Sequence, residues 1–133
     1  MDSMIAAILE SGRPERLYTG LSLLVSAAAD GTPARGLVTF RALEPLLDTE
    51  FQAWILRSKA LPGAPGEERQ AFARTLSELR DTALTLPDCR LWACSAALSA
   101  AGVERADAEA RLHGVMSTPR FLREVAGAQL VVV

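Results

Sequence analysis

The sequence contains little of what marks several common protein classes. Its 133 residues include two cysteines and one histidine, which is too few for a disulfide framework. No basic stripe is interleaved with aromatic residues, and this argues against a nucleic-acid partner. No apolar run approaches the roughly 20 residues that a membrane-spanning helix needs. We therefore expect a protein that binds neither nucleic acid nor a membrane.

Composition and the first residues indicate where the chain works. The stretch Met1–Met4 carries no positive charge ahead of an apolar run, so we predict no secretory signal peptide. Two cysteines without a disulfide pattern fit a reducing compartment, and we expect a cytoplasmic protein. A chain of this length with 50% hydrophobic residues is sufficient for one core, so residues 1–133 are predicted to form a single domain.

Five short apolar segments of strand length recur along the chain. They do not alternate between apolar and polar residues, which is typical of strands buried on both faces of a parallel sheet. Helical patterns separate them, and this order predicts an α/β protein. The predicted architecture is a three-layer α/β/α sandwich with a five-stranded, mainly parallel sheet. The predicted strands are residues 4–9, 36–40, 89–94, 111–116 and 129–133.

The segments between the strands differ in how clearly they predict helices. Pro14 suits the first turn of a long helix, and Pro119 after Ser117 or Thr118 marks the start of the last one. Residues 48–66 are the least regular and include a Pro- and Gly-rich break at 61–66, a candidate mobile loop. The other predicted helices cover residues 42–47, 67–84 and 95–101, and residues 104–110 are predicted to be a polar connection.

Cys94 falls where a buried strand passes into a small-residue helix that closes at Gly102. In open α/β sheets, ligands and chemistry collect at the carboxyl ends of the strands. Backbone N–H groups of Ser95 and Ala96 at the helix start would stabilise a thiolate. The sequence therefore predicts Cys94 as the residue that carries chemistry. The alternative is that Cys94 is a small buried hydrophobic residue, a common fate of free cysteine.

Three further residues are candidates for a role beside Cys94. His113, in the fourth predicted strand, is a candidate base or thiolate partner, although a structurally satisfied histidine is the more common case. Arg13 follows the first strand and would recognise an anion near Cys94 if the two strands were neighbours. Cys89 begins the same strand as Cys94, roughly 16 Å away along an extended chain, so we interpret it as structural.

No cofactor or metal is predicted. The loop Glu10–Arg13 occupies the position where flavodoxins bind phosphate, but it offers one serine and one glycine beside a glutamate. A phosphate cradle is richer in hydroxyl groups and free amides, so flavin binding is not expected. A metal set made of Cys89, Cys94 and His113 lacks the closely spaced ligand pairs of typical zinc sites.

Five segments, taken in their order and spacing, carry a resemblance to one family. The third has a cysteine before a small-residue helix that ends in Gly-Val, and the fourth is close to a Gly-small-small-x-Phe-Leu pattern. The segments are the first apolar strand with Pro14–Leu21, Leu37–Phe40 with the leucine-rich stretch after it, Ala93–Val103, Gly114–Leu122, and Ala128–Val133. Over nearly its whole length the chain resembles the DsrE/DsrF-like sulfur-relay family.

That resemblance implies a flavodoxin-like sandwich that assembles into trimers or hexamers. It also implies that sulfur is bound as a cysteine persulfide and passed from a donor protein to an acceptor protein. Only Cys94 matches the sulfur-carrying position, and the second cysteine that some members have near the second helix is absent here. We expect a homo-oligomeric protein that acts as a sulfur carrier or as a sulfurtransferase. The alternatives are a non-catalytic module that binds a small molecule or anion, and a purely structural oligomeric module.

Overall fold

The computed structural model describes residues 3–133; Met1 and Asp2, on which part of the signal-peptide expectation rests, lie outside them. Its five strands form one sheet in which every pair of neighbours is parallel. The order across the sheet is β4-β3-β2-β1-β5. This confirms the predicted five-stranded parallel sheet. The strands are β1 (Ile5–Leu9), β2 (Ala34–Val38), β3 (Cys89–Cys94), β4 (Val115–Met116) and β5 (Gln129–Val132).

Helices lie on both faces of the sheet, as in the predicted three-layer sandwich. On one face α1 and α4 pack against each other and against the central strands. On the other face Phe121 of α7 meets Trp92 of β3 edge to face, with ring centroids 6.2 Å apart. The helices are α1 (Pro14–Ala29), α2 (Leu43–Leu47), α3 (Phe51–Arg57), α4 (Gly66–Thr85), α5 (Ser95–Ala101), α6 (Arg105–Arg111) and α7 (Thr118–Glu124), with a 3₁₀ turn at Phe40–Ala42 before α2.

Gly36 of β2 has no side chain, and this lets α1 lie close to the sheet. A Cβ atom at Gly36 would lie 2.6 Å from Leu91 Cδ2 and 3.0 Å from Leu24 Cδ1. Leu24 and Leu91 are fully buried there, and burial of such side chains stabilises the fold by about 2 kcal/mol each. The α1 face of the sheet is therefore tightly packed around Gly36.

Two sequence predictions are wrong in the region before α7. Residues 104–110 are not a polar connection, because α6 spans Arg105–Arg111. Ala108 is its buried residue, and Arg105 forms an ion pair with Glu109 one turn later, 2.7 Å apart. The fourth strand is also much shorter than predicted. Only Val115–Met116 pair with β3, since the residues before them belong to α6 and to a bend.

The irregular segment after β2 is anchored by an arginine. Phe51 and Ile55 form the buried side of α3. The guanidinium of Arg80 in α4 lies 4.6 Å from the centre of the Phe51 ring. Its Nη1 also donates a hydrogen bond to the Asp48 carbonyl oxygen at 2.7 Å. The chain between α2 and α3 is thus fixed to α4.

Within residues 3–133, none of the helices is sufficiently long and apolar to cross a membrane.

A glycine brings the loop after β1 close to the chain after β2. A Cβ atom at Gly12 would lie 2.5 Å from the carbonyl oxygen of Arg41, a backbone atom that cannot rotate away. We predict that Gly12→Ala lowers the free energy of unfolding by about 1–3 kcal/mol, measured by urea denaturation. Gly66→Ala is the control, because a Cβ there meets nothing within 4 Å. Equal stability of the two variants would contradict the close approach.

Candidate functional site

The carboxyl ends of all five strands lie at one edge of the sheet, and Cys94 lies at this edge. It is the last residue of β3 and the N-cap residue of α5. Its backbone is still extended (φ -70, ψ 122), and the helix begins at Ser95. Gly102, with a φ of 68, ends that helix in the left-handed region, which glycine adopts without a steric penalty. The strand–helix junction therefore has the form that the sequence predicted.

The thiol of Cys94 lies just below the protein surface. The residue is 4% exposed, and its Sγ is 3.8 Å from Thr118 Oγ1. Thr118 is exposed and begins α7. Ser117 caps this helix, because its side chain accepts a hydrogen bond from the Arg120 amide at 3.3 Å. The start of α7 therefore lies against the thiol.

The start of α5 leaves backbone donors beside Cys94. The side chain of the N-cap residue, Cys94, makes no capping hydrogen bond to the first turn of this helix. Ser95 is half-buried and Ala96 is exposed. The first N–H groups of any α-helix lack partners inside the helix, so these amides can interact with an anion or with solvent. A seven-residue helix has a small dipole, and the stabilisation of a thiolate here would come from hydrogen bonds.

Cys89 has the properties of a structural cysteine, as expected. It is fully buried at the first position of β3. Burial raises the pKa of its thiol to about 11, although the nearby charges of Arg35 and Arg90 act in the opposite direction. Since successive side chains of a strand alternate between faces, Cys89 and Cys94 point to opposite sides of the sheet. The two cysteines are free.

His113 is not close to Cys94, and both nitrogens of its ring are occupied. Nδ1 accepts a hydrogen bond from the Leu91 amide at 2.9 Å, and Nε2 lies 3.1 Å from the Leu84 carbonyl oxygen. The His113 amide in turn donates to the Leu91 carbonyl at 2.8 Å. His113 therefore lies just before β4, and its ring and its amide continue the hydrogen bonding of that strand to β3. This is the structurally satisfied histidine of the alternative interpretation.

Arg13 is separated from Cys94 by a strand. The condition for its role was that β1 and β3 be neighbours, but β2 lies between them. Its guanidinium is exposed and lies 3.9 Å from the carboxylate of Glu15. The loop amides of Glu10 and Ser11 both donate to the Val133 carbonyl oxygen, at 2.8 and 3.2 Å. Two donors of the β1–α1 loop are therefore used inside the fold.

Two open cavities occupy the carboxyl edge, and Cys94 lines neither of them. The larger one, about 690 Å³, lies between α2 and the α5–α6 segment. The smaller one, about 480 Å³, lies between the ends of β1, β2 and β5. Phe40 and Arg41 line both cavities. The sequence pattern did not indicate these residues, because it predicted a strand over residues 36–40, whereas β2 ends at Val38 and Phe40 begins the 3₁₀ turn.

Phe40 has an unusual backbone for a large residue. Its φ is 38, in the left-handed region that residues other than glycine seldom adopt. Its side chain is 54% exposed, so burial of the ring does not explain the conformation. Such strain is retained where surrounding contacts impose it, often at functional sites. Nothing in the local sequence pattern signals a left-handed residue at this position.

Comparison with models of known protein families finds no match, and a search of curated proteins finds no significant relative. The fold defines the chain as a parallel α/β protein. Among the residues that the structure describes, no group of three or more His, Cys, Asp or Glu side chains is arranged to hold a metal ion.

The environment of His113 predicts a pH dependence of stability. Burial lowers its pKa, and the positive charge of Arg90 acts in the same direction. The neutral ring is therefore favoured in the folded state, so its stabilisation is complete above about pH 6.5. It is lost as the pH falls through the lowered pKa. We expect His113→Gln to cost about 1–3 kcal/mol at pH 8 and less at pH 5, measured by urea denaturation. A cost independent of pH would contradict this.

The contact between Thr118 and Cys94 predicts how fast the Cys94 thiol reacts. In a Cys89→Ala background, Thr118→Ala removes side-chain atoms next to Sγ, and we expect native-state labelling by a chromogenic thiol reagent to become several-fold faster. Thr118→Val is the matched control, because it retains the bulk and removes only the hydroxyl group. Equal labelling rates for the Ala variant and the parent would show that reagents reach Cys94 by another route.

Proposed function

We propose that this chain is a DsrE/DsrF-like sulfur carrier that holds sulfane sulfur as a persulfide on Cys94 in a reducing, cytoplasmic setting. The observation that carries the proposal is the thiol at the carboxyl end of β3, at the start of α5 and 3.8 Å from the Thr118 hydroxyl. Chemistry collects at this edge in parallel α/β sheets. The sequence resemblance gives the cysteine its proposed role.

The proposed reaction is a thiol–disulfide type of exchange. The Cys94 thiol releases its proton to solvent, and the thiolate attacks a sulfane sulfur of a donor persulfide or polysulfide. A bond forms between Cys94 Sγ and the transferred sulfur while the donor's S–S bond breaks. The electron pair of that bond leaves on the donor thiolate. An acceptor thiolate then attacks the outer sulfur, and Cys94 leaves as the thiolate.

The neighbours of Cys94 support this chemistry by donating hydrogen bonds. The Thr118 hydroxyl can donate to a thiolate or to the outer sulfur of a persulfide. The amides of Ser95 and Ala96 are at the uncapped start of α5 and can do the same. Because Cys94 is 4% exposed and Thr118 lies against its thiol, transfer requires movement of the residues around the thiol. Between transfers the same burial would protect the persulfide from other thiols.

We also propose that the protein works as a homo-oligomer, a trimer or hexamer in analogy with the resembled family. Leu130 and Val132 of β5 are exposed large apolar residues. Strand β5 lies at the edge of the sheet, and its segment Gln129–Val133 carries no charge or proline. Natural proteins usually protect or cover such edges. Donor and acceptor proteins for sulfur are the other partners of this proposal.

A non-catalytic binding module is the second candidate function. One observation favours it: Cys94 is 4% exposed, whereas two cavities are open to solvent at the same sheet edge. In that case Cys94 would be a packing residue. Sulfur loading separates the two candidates, because a packing residue acquires no sulfur under native conditions.

Intact mass spectrometry after incubation with polysulfide tests the proposal. We expect the protein to gain the mass of one or more sulfur atoms and to lose it on treatment with a reductant. Cys94→Ala should abolish the gain. Cys89→Ala is the matched control and should load normally, since that thiol is buried and its raised pKa keeps it protonated.

The result that contradicts sulfur carriage is equally specific. No gain of mass in the wild-type protein, or a gain that persists in Cys94→Ala, would exclude Cys94 as the sulfur carrier. The binding module would then be the better account. Circular dichroism of each variant shows that the loss of loading is not a loss of fold.

A further inference from the structure

We propose that the smaller cavity, between the carboxyl ends of β1, β2 and β5, binds a small organic anion that joins a phosphate or carboxylate to a flat apolar group. This site is separate from Cys94, and the inference does not depend on sulfur carriage. Two arginines, a serine and the strained, exposed Phe40 share this cavity of about 480 Å³.

The charge of the cavity wall favours an anion. Arg16 and Arg41 both line it. Within residues 3–133, neither guanidinium has a carboxylate oxygen within 4.0 Å. Glu10 also lines the cavity, so two cationic side chains and one anionic side chain face it. Guanidinium groups bind carboxylate and phosphate oxygens in pairs of parallel hydrogen bonds, and both remain available for such contacts.

A hydroxyl group adds a neutral donor to the same wall. Ser11 Oγ accepts a hydrogen bond from the Arg13 amide at 3.1 Å, which fixes the direction of the side chain. The hydroxyl proton is not engaged in that bond and can be donated to an oxygen of the ligand. The amides of Glu10 and Ser11 already donate to Val133, so recognition would come from side chains and not from a backbone cradle.

Phe40 supplies the contact for the flat part of the ligand. Its ring is a wall of both the smaller and the larger cavity. The larger cavity continues with the apolar side chains of Leu43, Leu47 and Val103. A ligand whose charged end meets Arg16 and Arg41 can therefore place an apolar group against Phe40. The left-handed backbone at Phe40 (φ 38) keeps this ring at the sheet edge and away from the core.

The topology of the sheet explains why a cavity opens at this place. Successive strands β1, β2, β3 and β4 extend in one direction, and β5 lies on the other side of β1. The chain direction across the sheet therefore reverses beside β1. In open α/β sheets a crevice forms outside the strand ends where such a reversal occurs, and ligands bind there. In the flavodoxin order 2-1-3-4-5 the reversal falls between β1 and β3. Here it falls between β1 and β5, so a different pair of strands borders the crevice.

Isothermal titration calorimetry with phenyl phosphate tests the site, with benzyl alcohol as the neutral analogue. We expect one phenyl phosphate per chain and at least about tenfold weaker binding of benzyl alcohol. Arg41→Gln and Arg16→Gln should each weaken phenyl phosphate binding by about tenfold. Arg74→Gln is the matched control, because Arg74 is exposed on α4 and lines neither cavity; it should bind as the wild type does.

Phe40→Gly gives a second, independent readout. Glycine relieves the left-handed strain, so we expect the melting temperature to be unchanged or higher while phenyl phosphate binding weakens several-fold. The proposal is overturned if phenyl phosphate fails to bind, if benzyl alcohol binds equally well, or if the Arg16 and Arg41 variants bind as the wild type does. Cys94→Ala should bind phenyl phosphate normally, so failure of sulfur loading and failure of this site are distinguishable.

Discussion

Parallel pairing of β1, β2 and β3 is the constraint on which the rest of the structure depends. Because the three strands run in one direction with matched registers, the chain must cross the sheet between them, and α1 and α4 make those crossings. The close approach of α1 at Gly36 fixes the spacing between helix and sheet. The carboxyl ends of all five strands then fall at one edge, where Cys94, Phe40 and Arg41 lie.

The pattern of apolar residues along the chain was sufficient to predict the strands and helices that have a clear periodicity of their own. The strand Cys89–Cys94, the helix from Pro14 and the glycine stop at Gly102 are as predicted. The errors occur where tertiary contacts decide. An alanine-rich polar stretch forms α6 because Ala108 is buried against its neighbours. The fourth strand is shorter than predicted because the residues before it belong to α6 and to a bend, where the ring of His113 accepts a hydrogen bond from the Leu91 amide.

The candidate site was predictable only in part for the same reason. The position of Cys94 follows from the order of elements along the chain. The position of Arg13 relative to Cys94 depends on strand order, which the sequence does not specify, and β2 separates them. The left-handed backbone of Phe40 and the sharing of one cavity by Arg16 and Arg41 depend on loops that are distant in sequence. The edge therefore holds two separate features: a buried thiol at the end of β3 and an open cavity beside β1 that is lined by Arg16 and Arg41.

Peptide mapping of the polysulfide-treated wild-type protein tests the central claim most directly. Arg80, Arg90 and Arg105 are trypsin sites, so digestion after alkylation places Cys89 and Cys94 in different peptides of one sample. The account predicts that the added sulfur appears on the Leu91–Arg105 peptide, with Cys89 unmodified. Sulfur on the Cys89 peptide, equal loading of the two peptides, or no loading under native conditions would contradict the role of Cys94 as a sulfur carrier.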